Sequence, residues 1–284
     1  MNVAAALSSA CDFLQEAGII EFRKESASLL AAVLHQNTTF FIAHPEYELS
    51  ENESAVFRDY VGRRAKHEPF QYIVGHQEFY GLDFEVSPDV LIPRPETEIL
   101  VECAVNILSG LDKPRFCEVG VGSGCISISI LHAVGSATAI STDISDGALA
   151  VARKNARKHK VDGRFELRRA NIFDGVGGKF DLIVSNPPYV PAGQIGSLQA
   201  EVRDHEPHAA LDGGSDGLAT IERTIRLSPE LLTRRGTLLL EIGFDQASKV
   251  GDLFDPVFWH APEFLPDLQG IPRIVRSKMT AEVQ

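Results

Sequence analysis

Beginning at residue 115, five short apolar runs alternate with segments of helical spacing, and this alternation limits the fold more than any other feature. The runs cover residues 115–119, 137–142, 164–169, 181–185 and 236–242. Strands separated by helix-length connections pair in parallel, and a parallel sheet is covered by helices on both faces. Two later runs, 256–260 and 271–278, have no helical pattern between them and predict an antiparallel pair at the end of the sheet.

The first 75 residues carry helical patterns only. Leu7, Cys11 and Leu14 recur at i, i+4 and i+7, and Gly18 is placed to stop that helix. Leu29, Leu30, Val33 and Leu34 form the stripe of a second helix over 20–34. Ser50, with Glu53 three residues on, reads as a capping box opening a third, whose apolar face is Val56, Tyr60 and Val61. Residues 70–92 are rich in aromatic and β-branched types and broken by Gly75, Gly81 and Pro88, which suits a short hairpin or linker. The expected organisation is a helical bundle over 1–75, a β-hairpin linker over 76–92 and an α/β domain over 93–284. A length of 284 residues, at about 150 per domain, agrees with two domains.

The chain has 39 acidic and 27 basic side chains, a formal net charge of -12. It repels polyphosphate at long range, so strong non-specific DNA or RNA binding is not expected. The basic cluster between Arg153 and Arg169 reads as a solvated helix face. Cys11, Cys103, Cys117 and Cys125 lack C-x-x-C spacing, which excludes a zinc ribbon or a disulfide framework and fits a reducing cytoplasm. No basic segment precedes an apolar one at the start, and no run of 18 apolar residues occurs, so neither a secretory signal nor a membrane span is expected. In His205-Glu206-Pro207-His208 the proline breaks any helix, and no third ligand group is evident, so no metal site is expected.

Glu118-Val119-Gly120-Val121-Gly122-Ser123-Gly124 ends the first of the alternating strands and opens a helix. Glycines there let the backbone turn sharply and approach a ligand. A dinucleotide fingerprint needs a third glycine where Cys125 stands, so the spacing suits an S-adenosylmethionine site better than NAD; a plain strand-to-helix turn is the alternative. Asp143 ends the second strand, where an acid can accept both hydroxyls of a ribose; it could instead cap the next helix, a role open also to Ser145 and Asp146. Asn171 and Ile172 end the third. They could meet a base edge and face, or serve as ordinary core.

Asn186-Pro187-Pro188-Tyr189 ends the fourth strand. The two prolines fix φ and remove two backbone donors, leaving a side-chain oxygen at Asn186 and a carbonyl at Pro187 as acceptors beside an aromatic ring. Such a loop can hold an –NH2 group by its two hydrogens. Its place at the carboxyl end of a central strand, where open α/β sheets bind ligands, argues against a chance Pro-Pro turn.

This N-P-P-Y motif resembles that of methyltransferases acting on planar amino groups. Gln71-Tyr72-Ile73-x-Gly75, Leu91-Ile92-Pro93-Arg94-Pro95-Glu96-Thr97-Glu98, Glu206-Pro207, Leu211-Asp212-Gly213-Gly214-x-Asp216-Gly217-Leu218 and Glu241-Ile242-Gly243 add to it. Together they resemble the HemK/PrmC family, the peptide chain release factor N5-glutamine methyltransferases, over nearly the whole chain. The resemblance implies a class I S-adenosylmethionine-dependent methyltransferase fold, with a seven-stranded, mostly parallel sheet whose last strand is antiparallel. It implies methylation of the glutamine side-chain nitrogen in the Gly-Gly-Gln motif of class I release factors, with the N-terminal helices gripping that partner.

Carried over onto this sequence, Glu118, Gly120, Val121, Gly122, Ser123, Gly124, Asp143, Asn171, Ile172 and Asn186 would hold S-adenosyl-L-methionine. Asn186, Pro187 and Tyr189 would be catalytic, and Asn186, Pro187, Pro188 and Tyr189 would bind the glutamine. Two positions depart from the family pattern. Glu118 stands where Asp is common, and Asn171-Ile172 stands where an acid and a larger apolar residue are frequent.

Three rivals follow from the same residues. An adenine-N6 nucleic-acid methyltransferase would use N-P-P-Y equally well, but needs a basic channel that the net charge argues against. A dehydrogenase is disfavoured by Cys125, and a non-catalytic binding module by the intact motifs.

Overall fold

Asn2, Asn37 and Ser50 each start a helix by accepting a backbone N–H, from Ala5, Phe40 and Glu53 respectively. The expected capping box is present: the Glu53 side chain accepts in return from the Ser50 N–H at 2.7 Å. In this computed structural model, which describes residues 1–280, the N-terminal helices are α1 (Val3–Glu16), α2 (Phe22–Leu34), α3 (Thr38–Ala43), α4 (Glu51–Arg64) and α5 (Phe70–Val74). The face that α1 buries is Val3, Ala6, Ala10 and Leu14, one step round from the expected stripe; Leu7 and Cys11 are half-buried. Small alanines let α1 lie close against its neighbours, which a size-weighted reading of the stripe misses. The short α3 and α5 carry too few turns to show periodicity and were not expected.

The chain divides into two compact units, Met1–His76 with Gln199–His205, and Gln77–Leu198 with Glu206–Gln284. The first has its own core, built on Leu14, Leu29, Leu30 and Phe57. Arg64 is buried there, paired with Glu25 at 2.9 Å and with Glu201 at 2.5 Å.

The second unit is the α/β domain. A hairpin, β1 (His76–Phe79) and β2 (Leu82–Glu85), turns at Tyr80 and Gly81, both with positive φ. The chain continues through α6 (Thr97–Leu108), β3 (Arg115–Val119), α7 (Cys125–Ala133), β4 (Thr138–Asp143), α8 (Asp146–Lys158), β5 (Phe165–Arg169) and β6 (Phe180–Ser185). It then forms α9 (Ala200–His205), which belongs to the first unit, followed by α10 (His208–Leu211), α11 (Ala219–Leu227), β7 (Leu232–Glu241), α12 (Ala247–Gly251), β8 (Glu263–Pro266) and β9 (Pro272–Lys278).

The sheet order is β5-β4-β3-β6-β7-β9-β8. Strands β3 to β7 are parallel, and β9 runs antiparallel to both β7 and β8. Successive residues bury into opposite faces. Phe116, Leu182, Val184 and Leu239 join the cluster under α6, α7 and α8, while Cys117, Ile183, Leu238 and Leu240 join the one under α11 and α12.

One strand lies elsewhere than expected. Residues 256–260 form a turn over Asp255, whose carbonyl accepts from Phe258 and Trp259; the antiparallel partner of β9 is 263–266. The apolar character of the turn belongs to Trp259, buried edge-on against Phe254, with a single bridge to Met279.

The connections after β3 run outward through β4 and β5, and those after β6 run the other way through β7. The crevice between the carboxyl ends of β3 and β6 is therefore the topological switch point, where open α/β sheets bind ligands.

Candidate functional site

At that crevice lies a cavity of about 760 Å³, within the range of small-molecule sites. Its walls come from the loops after β3, β4, β5 and β6, the segment before α6, and the start of α10.

The loop after β3 is pinned to β4, with the Gly120 and Val121 N–H groups both donating to the Thr142 carbonyl at 2.9 and 3.0 Å. Gly120, Val121, Gly122 and Ser123 line the cavity. Gly124 does not. It has φ +83°, and a Cβ there would meet Ile128 Cδ1 at 2.8 Å and Ala152 Cβ at 3.3 Å, so its glycine serves the packing of α7 against α8.

Glu118 is the next-to-last residue of β3, lies in the cavity wall and is 0% exposed. Its Oε2 accepts from the hydroxyls of Ser127 and Ser141, while Oε1 is buried without a partner. Burial pushes its pKa up to about 8, against the two serine hydrogen bonds. A bare, buried carboxylate oxygen at a cavity wall fits a cationic ligand group, which would supply the missing donor and favour the charged form.

Asp143 lines the same cavity at the end of β4. Its Oδ2 accepts from the Gly122 N–H at 3.0 Å and Oδ1 from the Ser145 N–H at 2.9 Å. Each oxygen keeps a lone pair for a ligand hydroxyl, and the two bonds fix the carboxylate plane. The cap of α8 is Ser145, so Asp143 is not needed for that role.

Asn171 and Ile172 line the cavity after β5. Asn171 Oδ1 accepts from Arg223 at 3.3 Å. Ile172 holds φ +58°, unusual for a β-branched residue and costing about 1–3 kcal/mol, and the Thr142 hydroxyl anchors its carbonyl at 2.7 Å. Its side chain is buried in the sheet core. Ile144, which the sequence did not single out, also lines the cavity and is 54% exposed.

Asn186, Pro187 and Pro188 line the cavity after β6. Asn186 Nδ2 donates to Thr97 Oγ1 at 3.1 Å, and Thr97 donates to Glu241 Oε2 at 2.7 Å. Among the described residues Asn186 Oδ1 receives no hydrogen bond. Tyr189 is not part of the cavity wall; its ring packs on the core under α11 and α12, and burial raises its pKa to about 12.

Behind this loop lies the 212–217 glycine segment. Gly217 has φ +79°, and a Cβ there would sit 2.3 Å from the Tyr189 carbonyl. Buried Gln246 ties the loops together: Nε2 donates to the Tyr189 and Gly217 carbonyls at 3.0 and 3.2 Å, and Oε1 accepts from the Gly243 N–H at 2.8 Å. Gln246 stands out in no motif. Only its place three residues after Gly243 could have flagged it.

Arg94 lines the cavity and pairs with buried Glu206, which also accepts from the Ile92 N–H at 3.4 Å. Among the described residues no group of three or more His, Cys, Asp or Glu could hold a metal ion, and no helix is long and apolar enough to cross a membrane.

Residues 5–75 match the PrmC N-terminal domain and residues 95–204 match the methyltransferase small domain. Over 278 residues the chain is 38% identical to the release factor glutamine methyltransferase of Agrobacterium fabrum, covering 96% of each chain. It is 40% identical over 268 residues to the protein of that name from Geobacter sulfurreducens, covering 94% of this chain and 93% of the relative. Among solved structures, the hMettl16 catalytic domain in complex with the MAT2A 3'UTR hairpin 6 shares the fold, with a TM-score of 0.57 at 14% identity, covering 83% of this chain and 84% of that one.

Proposed function

The chain belongs to the release factor glutamine methyltransferase family, and from that membership we propose that it methylates the side-chain nitrogen of the glutamine in the Gly-Gly-Gln motif of class I peptide chain release factors, in the cytoplasm. Its α/β unit is a class I methyltransferase fold. S-adenosyl-L-methionine, when bound, supplies an electrophilic sulfonium methyl.

Glu118 and Asp143 are the residues that would hold that cofactor, through its ammonium and its ribose hydroxyls, with Gly120 to Ser123 forming the floor. Ile144, half-exposed at the cavity wall, offers apolar surface to adenine, whereas the Ile172 side chain belongs to the core. The fit rests on the bare Oε1 of Glu118, which lacks the donor an ammonium brings.

An amide nitrogen is a weak nucleophile because its lone pair is delocalised into the carbonyl. Asn186 Oδ1 and the Pro187 carbonyl would accept its two N–H groups, orient the nitrogen and stabilise the positive charge that grows on it as the N–C bond forms at the expense of the sulfonium S–CH3 bond, whose sulfur would leave as a neutral thioether. The proton leaves after the methyl arrives, so no strong base is needed. Holding both groups in one cavity supplies proximity, worth about 7–11 kcal/mol in well-oriented reactions. The observation that carries the reading is the donor-free Oδ1 of Asn186 at the switch point, with its amide end turned to Thr97.

The test offers methyl-labelled cofactor with a release factor and an oligonucleotide together. Label is expected on the protein. Label on the oligonucleotide would establish the adenine-N6 alternative instead.

A further inference from the structure

The two ends of an asparagine carboxamide have nearly the same size, so packing alone does not choose which faces a cavity. The choice matters here, because only Oδ1 can accept an N–H from a substrate amide. Nδ2 turned inward would set donor against donor.

The structure supplies the choice through a short chain of hydrogen bonds. Thr97 is the first residue of α6 and Glu241 the last of β7, and they are 2% and 3% exposed. A hydroxyl has one proton. Thr97 gives it to Glu241, so toward Asn186 it can only accept, and it accepts from Nδ2. We propose that Glu241, acting through Thr97 and by accepting directly from the Asn186 amide, is a positioning residue: as a carboxylate it holds Asn186 with Oδ1 facing the substrate. This rests on the glutamine-methylation reading above.

Protonation reverses the chain. A carboxylic acid at 241 can donate to Thr97, which frees the Thr97 hydroxyl to donate to Asn186 Oδ1 and lets the carboxamide turn Nδ2 into the cavity. Burial raises the Glu241 pKa to about 7. The Thr97 hydroxyl, Arg273 of β9 and the Asn186 amide favour the carboxylate, while Glu96 before α6 opposes it. Cys125 at the start of α7 and Tyr189 after β6 also face it, but both have pKa values pushed to about 12 and stay neutral through this window. The active form is the ionised one, so turnover is lost as pH falls through about 7.

Glu118 titrates nearby, so the test measures kcat at saturating cofactor across pH, with a Gly-Gly-Gln release factor as substrate. Glu241→Gln keeps the shape but can donate or accept, and Thr97→Val keeps the shape without the hydroxyl. Both are expected to lower kcat at pH 8 by roughly 10- to 100-fold, with cofactor affinity by calorimetry within about twofold, as for loss of one oriented donor or acceptor. The acidic limb of the wild-type profile disappears in Glu241→Gln, and Thr97→Ser restores kcat. Wild-type kcat with an unchanged acidic limb in Glu241→Gln overturns the proposal. So does equal loss of turnover and cofactor binding in Thr97→Val that Thr97→Ser does not repair, since that pattern marks a merely structural role. A wild-type enzyme that leaves the release factor unmethylated refutes the function itself, a result separate from either.

Discussion

At Glu118 one carboxylate oxygen is satisfied by two serines and the other is bare, with the pKa raised to about 8. A carboxyl whose folded pKa lies above its unfolded value of 4.5 contributes stability that is full below pH 4.5 and is lost as pH rises toward 8. The free enzyme therefore carries a penalty at pH 8 that Glu118→Gln removes. Thermal melts without cofactor are expected to show the variant gaining on the wild type between pH 5 and pH 8. An ammonium bound at Oε1 restores the charged form, so cofactor binding at pH 7 releases a proton. Calorimetry in two buffers of different ionisation enthalpy reads that release directly; binding enthalpies that do not depend on the buffer would remove Glu118 from the ammonium site. Glu118→Gln should also weaken binding by about 1.5–3 kcal/mol, the range for a hydrogen bond to a charged group.

Among the elements, the loop after β6 is held by its neighbours as much as by its prolines. Gln246→Ala leaves the Tyr189 and Gly217 carbonyls without their shared donor, at a cost of about 1–3 kcal/mol in a urea titration. It is expected to reduce kcat more than cofactor affinity, because a shift of about 1 Å in a positioning loop can cost about 100-fold in rate. Equal stability in the variant would show that the clamp is idle. The sequence made the strands β3 to β7 legible because each is a short apolar run between helical segments, and it made the ligand loops legible because glycine and proline mark their backbones. It hid three things. The middle of the buried face of α1 is two alanines, Ala6 and Ala10, so the larger Leu7 and Cys11 drew the stripe one step away. The run 256–260 is apolar because Trp259 fills the core, which looks the same in sequence as a strand. Gly124 and Tyr189 sit inside recognisable motifs, yet one packs helices and the other the core, a distinction that only the tertiary structure makes.

At the scale of the whole molecule, each unit has its own core, and the acidic chain is suited to a protein partner rather than to polyphosphate. The helical unit includes Gln199–His205, tied in by Arg64 to Glu201, so this short segment, though distant in sequence, belongs with the N-terminal helices. If those helices grip the release factor, hydrogen exchange of the intact enzyme should slow within 1–75 and 199–205 when the partner is added, and unchanged exchange there would assign the grip elsewhere. The central claim is that a donor-poor corner after β6 presents a glutamine carboxamide to the methyl donor. Tandem mass spectrometry of the Gly-Gly-Gln peptide from a release factor incubated with enzyme and cofactor tests it most directly. One added methyl is expected, placed by fragmentation on the glutamine side-chain nitrogen. An unmodified glutamine, or a methyl on any other residue of that peptide, would contradict it.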